Sequence, residues 1–144
     1  MQGATEKIAF AGLEVHFGLD SAETNNQMSM FKCVVHPGAK MGVPHYHEHF
    51  DEAVYGLKGI VTYTVNGKTI ELGAGDSLFV PRGAVHAFIN LHSDTAEFMC
   101  ATTPAAIGAG YFREVAAVFN AGGPPDVAKL EKILADHGLV PVKP

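Results

Sequence analysis

The chain has 144 residues, 47% of them hydrophobic and 17% charged, with a formal net charge of −5 at neutral pH. These figures describe one soluble core of ordinary size and exclude a disordered chain; with no basic cluster, nucleic acid and anionic membrane are not expected partners. No apolar stretch is long enough to span a bilayer, Met1 to Phe10 lacks the pattern of a signal peptide, and two cysteines make no disulfide framework, so a reduced, cytoplasmic protein is expected.

Leu13, Val15, Phe17 and Leu19 alternate with Glu14, His16 and Gly18, which predicts a strand with one buried face. Met28 to His36 is a second β-run. His45 and His47 stand two residues apart, a spacing that puts both side chains on the same face of a strand. Helical metal pairs are spaced by three or four residues instead. A short polar run, Glu48 to Asp51, then bends the chain into a strand over 52–57 that opens with Glu52.

Ile60 to Val65 and Lys68 to Leu72 are β-rich and flank Asn66-Gly67, the strongest short-range hairpin signal, because a type I′ turn needs positive φ at both positions. Leu78 to Val80 leads into Pro81-Arg82-Gly83, which reads as a turn. Strands over 86–91 and 96–102 complete the meander, the first opening with His86.

After Pro104 the period changes. Phe112, Val115, Ala116 and Phe119 fall at helical spacing, and Gly122-Gly123-Pro124-Pro125 breaks that helix. A second helix starts at Asp126, carries the apolar stripe Val127, Leu130, Ile133 and Leu134, and is capped by Gly138. The expected organisation is a β-block over 1–104 with a helical extension of the same domain over 105–144. The two helices are expected on the outer wall of the β-block or over a partner copy; the alternative is that they cover its mouth and shape access.

His45, His47, Glu52 and His86 are the candidate metal ligands. Neutral imidazole nitrogens plus one carboxylate form the set that first-row transition metals take when a protein keeps positions open. Four protein ligands on an octahedral ion leave two positions for a substrate oxygen and for water or O₂. Iron, manganese, nickel, cobalt and copper accept this set; zinc is allowed but does no redox chemistry. Glu52 is also the candidate catalytic group, a carboxylate able to take a proton from bound substrate.

The run Gly75-x5-Pro81-x-Gly83-x2-His86-x3-Asn90 matches the second motif of the cupins at every fixed position, and His45-x-His47-x4-Glu52-x6-Gly59 matches the first. The glycine that usually opens the first motif is approximated by Gly38, one residue too far upstream. The chain thus resembles the small single-domain, quercetinase-like cupins over roughly residues 13–104. The resemblance implies an all-β fold with C-terminal helices. Its core is a double-stranded β-helix, a jelly-roll barrel holding one divalent transition metal between two strands of one sheet and one of the other. It also implies pairing into a homodimer.

Three functions are open on this basis. One is a dioxygenase-type oxidoreductase acting on a small enol or phenol; another is a non-redox isomerase, lyase or hydrolase. The last is a non-catalytic module that binds a small molecule or metal. The two arginines, Arg82 and Arg113, are not expected on an inward strand face, which disfavours phosphorylated substrates. A His-x-His pair is often solvent-facing and a lone histidine often structural, but both alternatives weaken when the residues occur together at this spacing.

His49 shares the strand parity of His45 and His47 but falls where the strand should end, so it is expected at the rim. His16, His36, His92 and His137 are expected to be structural or exposed. Cys33 and Cys100 should point inward, because Lys32 and Glu97 should face water. Phe31, Tyr63, Phe88 and Phe98 are expected in the core, with Phe88 sharing the face of His86. Asn90 is expected to stabilise a strand end.

Overall fold

The computed structural model describes residues 2–3, 5–41 and 43–143. The strands are β1 (Glu6–Phe10), β2 (Leu13–Leu19), β3 (Ser29–Val35), β4 (His45–His47), β5 (Asp51–Lys58), β6 (Val61–Val65), β7 (Lys68–Leu72), β8 (Ser77–Val80), β9 (His86–Ile89), β10 (Ala96–Thr103) and β11 (Leu139–Pro141). Three helices accompany them: α1 (Ser21–Thr24), α2 (Ala109–Phe119) and α3 (Val127–Asp136). A six-stranded sheet runs β1-β2-β3-β10-β5-β8 and a five-stranded sheet runs β11-β4-β9-β6-β7. All pairings within them are antiparallel. This is the double-stranded β-helix.

Alternation drives the architecture. Leu13, Val15 and Phe17 are buried along β2 and Phe31, Cys33 and Val35 along β3, while Lys32 and Glu97 meet in an outer salt bridge at 3.0 Å. Phe98 and Cys100 continue the inward face on β10. Across the barrel, Tyr63, Phe88 and Phe98 form a triad with ring centroids 5.2–5.8 Å apart, the offset and edge-on spacing aromatic quadrupoles favour. Each such ring, buried, contributes roughly 1.5–3 kcal/mol relative to exposure. Asn90, fully buried, donates to the carbonyls of Val35 and Asp94 and accepts from the His92 backbone, pinning the exit of β9.

Two glycines of the sequence motifs have backbone reasons. Asn66 and Gly67 adopt φ +48° and +78°, the type I′ hairpin between β6 and β7. Gly59 sits at φ +64°, and a Cβ there would lie 2.7 Å from the Thr95 carbonyl oxygen. Only glycine lets the end of β5 pass so close to the start of β10.

Three elements lie outside the expectations. β1 pairs with β2 across Ala11-Gly12, both at positive φ. α1 is a single turn closed by an Asp20/Glu23 capping box. β11 lies beyond the second helix and pairs with β4, Leu139 opposite His47 and Pro141 opposite His45. The segment expected as a purely helical extension therefore returns a strand to the barrel, on the edge where a proline is tolerated.

The helices also differ from the outer-wall expectation. α2 packs on β1 and α3 on β11. Yet Ile107, Tyr111 and Phe112 line the barrel's interior pocket, so the start of the helical segment contributes to its wall. Within α3, Leu134 is buried and Val127 is exposed, so the apolar stripe is shorter than its spacing implied. Asp126 caps α3 through the Lys129 amide, and Gly138 follows at φ +78°.

Candidate metal centre

β4 and β9 are neighbours in the five-stranded sheet, and His45 stands directly opposite His86. His47, two residues along β4, shares the inward face. Their ring centroids lie 4.5–5.3 Å apart, and all three residues are buried. One candidate ligand atom from each comes within 4.8 Å of the others, the only such histidine, cysteine or carboxylate cluster found among the described residues.

The second motif's turn positions His86 and is tied to the first motif. Ala84 N donates to Pro81 O at 3.1 Å, and Gly83 N, at φ +85°, donates to His47 O at 2.8 Å. Arg82 grips Asp51 at the start of β5 through its backbone N (2.9 Å), Nε (3.2 Å) and Nη2 (3.1 Å). The guanidinium holds the Asp51 carboxyl below its usual range. The two motifs are therefore tied together at this turn.

The hydrogen bonds settle the tautomers of two rings. His45 Nδ1 meets the Val43 carbonyl at 3.0 Å and His86 Nδ1 meets the Ala84 carbonyl at 2.9 Å. A carbonyl oxygen can only accept, so in each ring Nδ1 holds the proton and Nε2 keeps its lone pair. Such a backbone acceptor is the usual partner of a metal-bound histidine. Burial lowers the pKa of all three rings, to about 4 for His45 and about 2 for His47, with repulsion from His86 adding to both. All three are neutral at physiological pH, the form that binds metal. His47 stacks on the fully buried Phe50 at 4.1 Å, and its Nδ1 has no hydrogen-bond partner. A buried ring nitrogen left without a partner, in a ring clustered with two whose lone pairs are oriented, fits a cation.

Glu52 enters from β5, in the opposite sheet. Its Oε2 lies 3.7 Å from His86 Nε2, but the carboxylate is not among the atoms that cluster within 4.8 Å. The approach is not an ion pair. Burial raises Glu52 to about 7, against the neighbouring Cys100 thiol, which favours its charged form, while burial lowers His86. The structure brings three of the four predicted residues together and holds the fourth beside them. Cys33 and Cys100 are free, buried and inward, with both thiols pushed up by burial.

The pocket around the cluster has a volume of about 40 Å³. Besides the motif residues, its walls include Cys33, Tyr63, Phe88, Phe98, Cys100 and Tyr111. The core aromatics expected from alternation are thus also the pocket walls. Phe50 and Tyr111 were not foreseen: Phe50 lies in the polar bend after β4, and Tyr111, four residues before Val115 and eight before Phe119, extends the helical stripe beyond the residues named for it. His49 is exposed at the rim, and His16, His36, His92 and His137 each pair with a glutamate away from the pocket.

Among the described residues, no helix is long and apolar enough to cross a membrane. The quercetin 2,3-dioxygenase of Bacillus subtilis (strain 168) is 44% identical over 46 residues, which is 32% of this chain and 14% of that protein, so the chain spans a small part of its curated relative. The crystal structure of a predicted oxalate decarboxylase from Thermotoga maritima is similar at TM-score 0.60 and 27% identity, over 70% of this chain and 92% of that one. The polyketide cyclase RemF from Streptomyces resistomycificus is similar in fold at TM-score 0.58 and 22% identity, over 72% of each chain. The family model for the cupin domain, Cupin_2, matches residues 31–102, half of the chain, and this span holds all three clustered histidines and Glu52. A double-stranded β-helix with its histidines gathered inside, matched by that model across both motifs, makes this chain a member of the cupin family.

Proposed function

We propose that the protein is a metal-dependent oxidoreductase of the dioxygenase type, acting on a small enol or phenol. The observation that carries this is the three-imidazole cluster, with Nε2 lone pairs freed by Nδ1 bonds to backbone carbonyls and a carboxylate alongside. His45, His47 and His86 would hold one divalent ion of redox-active type, with Glu52 as a fourth ligand or as the adjoining base. Such an ion supplies Lewis acidity, a template for two reactants and an electron path between them. Glu52 would take the hydroxyl proton of the enol or phenol, and the aromatic walls exclude bulk water. The similarity to a quercetin dioxygenase, though short, supports the same class of substrate.

The test is O₂ uptake by protein stripped of metal and reloaded with iron, manganese, nickel, cobalt, copper or zinc, against a panel of enols and phenols. Uptake is expected only with the redox-active ions. Equal turnover with zinc, without O₂ consumption, would replace this proposal by acid-type isomerase, lyase or hydrolase chemistry. No turnover across the panel, with a small molecule raising the melting temperature, would replace it by a binding module.

We also propose that two copies pair through the outer face of β5 and the edge strand β8, in a reducing compartment where Cys33 and Cys100 remain thiols. Tyr55, Leu57 and Phe79 are 51%, 42% and 60% exposed there, more apolar surface than an isolated side chain leaves. Light scattering should give twice the 15.3 kDa of the chain, and Phe79→Glu should give the single-chain mass. A wild-type single-chain mass at micromolar concentration would refute the pairing.

A further inference from the structure

The pocket at the histidines is small for the substrates proposed above. An apolar cavity of roughly 150 Å³ is what benzene occupies in a protein interior, and the histidine pocket offers about 40 Å³. That is room for an ion and a few small ligand atoms, not for a ring. Beside it lies a second cavity of about 290 Å³. Met41, His45 and Tyr111 line both, so the two spaces meet at one of the candidate ligands.

The walls of the second cavity come from elements distant in sequence. Phe10 ends β1; Val115 and Phe119 lie on α2; Leu130 and Leu134 lie on α3. Its one formally charged wall residue is the exposed Lys40. A cavity this apolar does not reward a sugar or phosphate, whose hydroxyls and charges would lose water without gaining partners. It suits a body of one or two fused rings, which gains about 25 cal/mol for each Å² of apolar surface buried.

We propose that this side cavity is the binding site for the apolar body of the substrate, with a hydroxyl or enol oxygen at one end reaching past Met41 and Tyr111 to the histidine cluster. The substrate class is then a mono- or bicyclic aromatic or alicyclic phenol or enol. The C-terminal helices become its selectivity wall. This rests on the metal-centred proposal for the oxygen end, whereas the ring end stands on the cavity alone.

The probe is 1-naphthol, followed by its own fluorescence in metal-free protein and by the visible spectrum of cobalt(II)-loaded protein. Leu130→Trp projects an indole into the cavity from a partly buried position, and Val115→Phe fills it from α2 as a second variant should the first perturb folding. The chain has no tryptophan, so the emission of Leu130→Trp itself reports whether the indole is buried.

Metal-free wild type should bind 1-naphthol, and both filling variants should bind it at least 10-fold more weakly. Cobalt-loaded wild type should change its spectrum on titration with 1-naphthol, and Leu130→Trp, loaded with the same cobalt, should need at least 10-fold more. Equal affinity in wild type and both folded filling variants overturns the side-cavity site. If the protein takes up no cobalt, the metal-centred proposal fails instead, and the fluorescence arm still decides the cavity.

Discussion

His86→Ala is expected to abolish stoichiometric metal binding while leaving the barrel folded. His86 is the one candidate ligand from β9, and its Nδ1 is already committed to Ala84 O, so its remaining nitrogen has no role within the fold that requires an imidazole. Loss of an outer hydrogen-bond partner of a ligand alone costs roughly 10–100-fold in metal affinity. Loss of the ligand should therefore cost at least the upper end of that range. The fold loses less: Ala84 O is left without its buried donor, at about 1–3 kcal/mol. Elemental analysis of protein purified without a metal-binding tag reads the first effect, and circular dichroism with thermal melting reads the second. Wild-type metal content in a folded His86→Ala protein would remove the metal centre and every function built on it.

Glu52→Gln is expected to keep the metal and lose turnover. The amide matches the carboxylate in shape and can still donate to or accept from the groups around Cys100 and His86, but it cannot take a proton from a substrate hydroxyl. A positioned general base contributes roughly 10²–10⁴-fold, and a loss of that size in kcat is expected against whichever enol or phenol the O₂-uptake panel identifies. Three imidazoles should hold the ion without the carboxylate, since their ligand atoms already converge without it. Metal loss on Glu52→Gln would mark the residue as a ligand required for loading. Unchanged kcat with full metal would strip it of the base role.

These two variants separate what the sequence motifs made legible from what they left open. The His45/His47 parity, the Pro81–Gly83 turn before His86 and the Asn66-Gly67 hairpin are local: each follows from residues within a few positions, and each is where its spacing put it. β1 was missed because Glu6–Phe10 is short and begins with two charged residues, and it becomes a strand by pairing with β2. β11 was missed because three residues ending in Pro141 carry no periodicity; what holds them is the open edge of β4. Tyr111 was missed for a related reason, since helical spacing marks the face of α2 that packs but does not say what lies beneath it.

Residue type and short-range spacing were enough to establish the strands, their inward faces and the turn before His86, because backbone parity and turn chemistry act over a handful of residues; the barrel and the meeting of three histidines on β4 and β9 were implied by the resemblance to the cupins. Whether Glu52 reaches an ion or stands beside Cys100, and where α2 and α3 lie, depends on contacts between segments far apart along the chain. Asp20 accepting from the Ala109 amide is one such tie, 89 residues long, at the start of α2. No local pattern encodes the closure of so long a loop, so the shape of the pocket was settled by packing across the folded barrel.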